Sequence, residues 1–208
     1  MKNWHHIIFW GALWGIVEAT VGYFLHLLAL PIGWLFWFPI AFGFMRIVYQ
    51  QTKNASAVFC TALVASSIKL SDLLMPVRID YVINPAVSII LEALAVLVVY
   101  KIFVTRKEEG KRIFSYSGVA MISVLWRAFY LIYVHFLPRK FFVISPAAGI
   151  QPLLKFLVIE NVANILMICF VSKVGAKIRK SFNFWNFTPY PTLSLTTLLL
   201  AFLLQWKF

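Results

Sequence analysis

Long apolar runs, separated by short polar segments, make up almost the whole chain. The six longest lie at about residues 7–30, 32–49, 55–76, 85–104, 114–137 and 152–174. Because an α-helix rises about 1.5 Å per residue, each run is long enough to cross the roughly 30 Å hydrocarbon core of a bilayer. The pattern therefore predicts six transmembrane helices.

A seventh apolar run, "TLSLTTLLLAFLLQWKF", begins at Thr192. Its length is marginal, so it could span the membrane, lie in the interface or pack on the bundle, and we favour a span. No polar segment is long enough to form a separate soluble domain. The predicted fold is an all-α integral membrane protein in which residues 1–208 form a single transmembrane helical domain. It is a compact bundle of six transmembrane helices plus a marginal seventh C-terminal hydrophobic helix.

Composition and charge agree with a membrane protein. The chain is 62% hydrophobic and 12% charged, with a mean hydropathy of +0.86, which is too apolar for a soluble globular domain. The net charge of +12 could suit nucleic acid, but most basic residues lie in loops on one side of the predicted bundle. The positive-inside rule then predicts a multi-pass plasma-membrane protein with a cytoplasmic N-terminus. Its basic loops would face anionic lipid headgroups, and no nucleic-acid partner is expected.

Among the ionisable side chains inside the predicted spans, seven form a candidate polar set. Each would cost about 2.5–3.5 kcal/mol at a helix centre, so the set is expected to face the protein interior. Helical spacing supports this expectation, because Asn84, Ser88 and Glu92 share one face and Glu18 shares another with His26. Most of these residues fall in the outer half of the bundle. The sequence therefore predicts a polar chamber that opens to the outside. The seven residues are Glu18, Lys69, Asp72, Glu92, Arg127, Lys155 and Glu160.

The predicted chamber suggests a binding site for a small molecule. Four carboxylates against three cations leave a slight acidic excess, which a cationic or zwitterionic ligand, or a protonated carboxyl group, would balance. Alternatively, Lys69 pairs with a nearby carboxylate and Arg127 with Glu160 or Glu18, and these ion pairs only fix the helix register. The substrate-binding residues we predict are Glu18, His26, Lys69, Asp72, Asn84, Glu92, Arg127, Glu160, Asn161 and Asn164.

Catalytic chemistry finds little support in the sequence. The chain has no H-E-x-x-H, G-x-S-x-G, Walker A or G-x-G-x-x-G motif, and no two histidines have the spacing of metal ligands. We therefore expect no enzyme activity, no catalytic residues, no metal and no cofactor. Without an ATP-binding loop, the chain cannot power uptake by itself.

Small residues form a ridge along the first predicted helix. Gly11, Gly15 and Ala19 recur at four-residue spacing, which lets another helix approach closely. This ridge could pack against a helix of the same chain or dock a transmembrane partner.

In its layout, the chain resembles the substrate-specific (S) component of an energy-coupling factor transporter. The resemblance covers about residues 5–175 and rests on small size, six closely connected helices, the small-residue ridge and the polar outer pocket. It implies that Gly11, Gly15 and Ala19 would meet a transmembrane coupling subunit joined to two ATPases. The family's alanine pair is not reproduced, because Ile16 stands four residues after Ala12, and the seventh run departs from the six-helix pattern.

The leading hypothesis is a substrate-binding subunit for the uptake of a vitamin or micronutrient. The first alternative is a stand-alone secondary transporter in which a buried glutamate relays a proton. An intramembrane or lipid-modifying enzyme that uses a carboxylate with His26 or His135 is the second. In the third, the protein is structural, and its buried charges only lock the fold.

Overall fold

The computed structural model describes residues 3–27, 33–105, 115–137, 146–178 and 187–207, and these ranges contain helices and no strand. Short 3₁₀ turns lie at Ser71–Leu74 and Pro146–Ala148, and a π-helical segment, Lys155–Ile159, connects α6 to α7. The α-helices are α1 (Trp4–Leu27), α2 (Gly33–Thr52), α3 (Ala55–Leu70), α4 (Ile79–Thr105), α5 (Tyr116–His135), α6 (Ile150–Leu154), α7 (Glu160–Ile178) and α8 (Pro191–Lys207).

Five segments of the described chain are long and apolar enough to cross a membrane. The prediction of an all-α membrane protein is therefore confirmed at this level, whereas the number of spans, six or seven, is not decided. Neither α2 nor α8 is among the five, since α8 has only 17 residues and α2 ends in polar side chains. The five are Trp4–Leu25, Ala55–Leu74, Ile79–Phe103, Tyr116–His135 and Ile150–Ser172.

Local sequence signals set the ends of the helices. Asn54 caps α3 by accepting a hydrogen bond from the Ser56 backbone N–H at 2.9 Å, and Ser115 caps α5 through the Gly118 N–H. Lys53 takes a positive φ of 53°, so the chain turns from α2 into α3 within two residues. Such a short connection makes these two helices antiparallel neighbours.

α1 and α3 run parallel and approach closely through two glycines. A Cβ placed on Gly11 would lie 2.7 Å from Val64 Cβ, and one placed on Gly15 would lie 2.8 Å from Ile68 Cδ1. Both distances are below van der Waals contact. At Gly11 an added methyl group would press on Val64 Cβ and the Thr61 backbone oxygen, whereas at Gly15 it would press mainly on the flexible end of Ile68. The docking role predicted for Gly11 and Gly15 needs an open face, but α3 of the same chain covers that face. Ala19, the third residue of the ridge, is buried. Close packing on α3 therefore accounts for Gly11 and Gly15, whereas Ala19 lines a cavity.

The C-terminal helix α8 packs on the bundle, parallel to α1. Near its start, the Ser194 hydroxyl donates to the backbone oxygen of His5 at 2.9 Å. Midway along α8, Ala201 packs with Ala12 and Ile68. The helix is thus an integral part of the described fold.

The half of the bundle in which α1 begins is filled by a dense apolar core. Trp10, Trp14, Met45 and Val48 are almost completely buried there, and the ring of Trp14 stacks on that of Phe44 with centroids 6.0 Å apart. Burial of large apolar side chains at native packing density leaves little room for a ligand in this half. The open space lies in the opposite half.

Candidate ligand-binding site

A cavity of about 840 Å³ occupies the half of the bundle where α1, α3, α5 and α8 end and α2, α4 and α6 begin. Eight of the ten predicted substrate-binding residues line it. Asn161 does not line the cavity but bonds to residues behind its wall, and the side chain of His26 lies outside the described residues. The eight are Glu18, Lys69, Asp72, Asn84, Glu92, Arg127, Glu160 and Asn164.

The Asp72 carboxylate has partners within the chain, Lys69 and Gln205. The Lys69 ammonium lies 2.7 Å from Asp72 Oδ2. The side-chain amide of Gln205 donates to both Asp72 oxygens, at 2.7 and 2.8 Å. Two partners on one carboxylate are the arrangement expected of a buried charge that must not be left alone. This group therefore holds α8 against the end of α3.

Arg127 is held in place by neutral acceptors. The side chain is only 1% exposed, and its Nε donates to the backbone oxygen of Phe156 at 3.0 Å. Nη1 donates to the backbone oxygen and hydroxyl of Ser123 and to Asn161 Oδ1. None of these bonds uses Nη2. The guanidinium is therefore fixed in direction while one of its donor groups stays available.

The π-helical segment explains how a backbone oxygen becomes available to Arg127. The Glu160 N–H bonds to the oxygen of Lys155, five residues back, and so passes over the oxygen of Phe156. A π turn of this kind inserts one residue into the helix and is frequent at functional sites. Arg127 Nε donates to this oxygen.

Glu92, in contrast, has no partner. It is 5% exposed and lines the cavity, yet it makes no hydrogen bond or salt bridge with a described residue. Its charged neighbours are Glu18, of the same sign, and Arg127, of the opposite sign. Glu18 accepts one hydrogen bond, from the Trp14 indole N–H at 3.2 Å. A buried carboxylate without a donor is costly, so Glu92 can gain most from a bound group.

Aromatic rings form the wall on the side of α5. Trp126 lies edge-on to Phe156 with centroids 5.6 Å apart, and Phe38 and Tyr130 pack beside it. The Arg127 guanidinium carbon sits 4.7 Å from the centroid of the Trp126 ring. Large apolar faces next to a few directed polar groups are typical of small-molecule pockets.

The alternative in which the buried charges only pair with one another is met, within the described ranges, by the pair of Lys69 and Asp72. Arg127 forms no salt bridge with Glu18, Glu160 or any other described carboxylate, because carbonyl, hydroxyl and amide oxygens surround it instead. Ion pairing within the chain therefore does not account for the whole polar set.

Some residues of the site were missed in the sequence. Gln205 lies in the marginal seventh run, where one glutamine among leucines gave no signal of a partner. Tyr133 donates to Asn84 Oδ1 at 3.0 Å and so occupies one of the amide groups predicted to meet substrate. Its i, i+3 neighbour Tyr130, which the sequence suggested as a residue that could flank a ligand ring, lines the cavity.

Arg78 and Asp80 form a pair beside the cavity, at the start of α4. Arg78 Nη2 lies 2.7 Å from Asp80 Oδ2, and the guanidinium sits over the ring of Tyr81, a lining residue, at 4.5 Å. The hydrogen bonds to Asp80 raise the pKa of the exposed Arg78 guanidinium above its usual value. This charge therefore persists at any physiological pH.

Metal ligands are not assembled at the site, since no group of three or more His, Cys, Asp or Glu side chains within the described ranges could hold an ion. Comparison with known proteins found no matching family model, no similar curated protein and no similar solved structure. The function must therefore be argued from the site.

Proposed function

We propose that this protein is a small-molecule-binding membrane protein whose ligand occupies the cavity that all eight described helices line. The observation that carries the proposal is Glu92, which is 5% exposed, has no partner in the described part of the chain and lies on the wall of a cavity of about 840 Å³. Ligand pockets commonly measure about 300–1,000 Å³ and combine apolar walls with a few polar groups. Arg127 supports the same reading, because its fixed guanidinium keeps a free donor.

The arrangement in the membrane is the finer part of this proposal. We place the protein in the plasma membrane with a cytoplasmic N-terminus, since the basic loops follow the positive-inside pattern. The apolar half of the bundle would then face the cytoplasm, and the cavity would open to the outside. In this arrangement α2 and α8 complete seven spans.

Ligand screening by thermal stability tests the binding function. The detergent-purified chain would be heated with a panel of vitamins, amino acids, nucleosides and organic amines. A compound that binds only the folded state at 100 times its Kd adds about 2.7 kcal/mol to the free energy of unfolding. The substitution Ser88→Trp fills the cavity wall and should abolish the stabilisation, whereas Ser67→Trp, on the exposed side of α3, should preserve it. If no compound stabilises the wild type in a way that Ser88→Trp removes, the proposal fails.

The most specific form of the proposed function is substrate uptake driven by partner ATPases. We propose that the bound compound is a vitamin or micronutrient and that movement across the bilayer needs a transmembrane coupling subunit with its ATPases. The support is the absence of an ATP-binding motif from the sequence together with a site on one side of the bundle. Liposomes that contain only this chain should bind the compound without accumulating it. Proton-driven accumulation by the chain alone would instead identify a secondary transporter.

A further inference from the structure

We infer that the cavity selects a ligand with a cationic nitrogen attached to a flat apolar ring, and that Glu92 receives the nitrogen. This inference rests on the proposed function, because it assumes that the cavity binds a small molecule. It goes further by naming the charge and shape of the ligand and the side chain that reads its charge.

The first step is that Glu92 has no partner within the described chain, and each of the three cations that line the cavity, Lys69, Arg127 and Lys155, is engaged by other groups. Arg127 has the opposite charge, but four bonds to neutral oxygens hold it in place. Lys69 is bound to Asp72, which also receives two bonds from Gln205. A ligand ammonium would give Glu92 charge-assisted hydrogen bonds without breaking either of these groups.

Charge balance is the second step. Four acidic and three basic side chains line the cavity, so the wall would carry one net negative charge with all of them ionised. The Lys69–Asp72 pair cancels internally, and the remaining carboxylates still outnumber the cations. A monovalent cation makes the occupied cavity neutral, whereas an anion would double its charge imbalance. The acidic residues are Glu18, Asp72, Glu92 and Glu160, and the basic ones are Lys69, Arg127 and Lys155.

The third step is the aromatic wall. Trp126, Tyr130, Phe38 and Phe156 pack with centroid separations of 5.4 to 6.2 Å along one side of the cavity, and each of them lines it. Such a surface accepts a flat ring by stacking or edge contact, while the Arg127 guanidinium already lies over the rings of Phe38, Trp126 and Phe156. A linear aliphatic amine would leave this wall unused.

A set of four indole compounds of similar size separates charge from shape. Tryptamine is a cation, indole-3-propionate an anion, indole-3-ethanol is neutral and tryptophan is a zwitterion. The melting temperature of the detergent-purified full chain would be measured with each probe over a concentration series. We expect tryptamine to stabilise the wild type most and indole-3-propionate least. If the anion or the neutral alcohol stabilises as well as tryptamine, or if tryptamine gives no stabilisation, the inference is overturned.

Two matched variants then assign the charge reading to Glu92. Glu92→Gln keeps the shape of the side chain but removes its charge, and it should weaken tryptamine binding roughly 10- to 100-fold. Asp80→Asn removes one negative charge from the same helix, outside the cavity lining, and should leave tryptamine binding unchanged. Equal weakening in both variants, or in neither, overturns the assignment. The comparison of the four probes uses only the wild-type protein, so it tests the inference even if a variant does not fold.

The two proposals fail in different ways. An anionic or neutral compound whose stabilisation is lost in Ser88→Trp would uphold the binding function and refute the cationic ligand. The absence of any cavity-dependent stabilisation across the broad panel would refute the binding function itself.

Discussion

The close approach of α1 and α3 predicts a large effect for one added methyl group. In Gly11→Ala, the new Cβ would lie 2.7 Å from Val64 Cβ and 2.8 Å from the Thr61 backbone oxygen. Carbon atoms prefer separations of about 3.5–4.0 Å, so the two helices would have to separate by roughly 1 Å. Overpacking of this kind typically costs about 1–3 kcal/mol. Neither contact is the end of a flexible side chain, and so rotation cannot relieve it.

Gly43→Ala is the matched control for this substitution. Gly43 lies inside α2, and a Cβ built there meets nothing within 4 Å. The same chemical change should therefore stabilise the protein by about 0.5–1 kcal/mol, because glycine is a poor helix former. The two variants differ only in the space around the methyl group.

Thermal unfolding in detergent, followed by circular dichroism, provides the measurement. For a chain of this size, about 1 kcal/mol shifts the melting temperature by roughly 2–4 °C. Gly11→Ala should therefore lower it by about 2–12 °C, whereas Gly43→Ala should raise it slightly. If Gly11→Ala matches the wild type, α3 does not cover the ridge as described, and the ridge is again available for a partner.

Two further predictions concern the polar groups of the site. Arg127→Lys should lower the free energy of unfolding by about 1.5–3 kcal/mol, because an ammonium cannot reproduce the guanidinium's separate bonds. The control Arg78→Lys changes an exposed arginine and should stay within about 0.5 kcal/mol of wild type. Denaturant unfolding measures both. Gln205→Leu should lower the free energy of unfolding by about 1–3 kcal/mol and speed proteolysis of α8, because Asp72 loses its amide donors. The control Gln151→Leu, at an exposed site, should have neither effect. Equal effects of a variant and its control would contradict the contacts described.

The polar cavity was largely predictable because helical spacing carries the information. Asn84 and Glu92 had to share a face once α4 was recognised, and burial of that face in the bundle follows from the cost of exposing it to lipid. The partners of the buried charged side chains were less predictable. Arg127 was expected to meet a carboxylate, but it meets backbone and side-chain oxygens, and a backbone carbonyl leaves no mark in the sequence.

Long-range contacts and register changes were beyond sequence reasoning for a different reason. Gln205 and Asp72 are 133 positions apart, and their bond depends on how α8 docks on α1. The ridge of Gly11 and Gly15 indicated close helix contact without naming the neighbour. Residue spacing shows which side chains share a face of one helix. The bond between Gln205 and Asp72 and the contact of the glycine ridge each depend on how two helices pack together.

The π segment also lets α7 keep contacts at opposite ends of the bundle. Because a π turn takes up one extra residue over nearly the same rotation as an α turn, the helix on either side of 155–159 keeps almost the same phase. Asn164 can therefore line the cavity while Ser172 accepts a hydrogen bond from the Arg46 guanidinium at 2.9 Å. Deletion of one residue within 155–159 would restore a regular α turn, so it should disturb the bond between Arg127 and the oxygen of Phe156 and leave the far end of the helix in place.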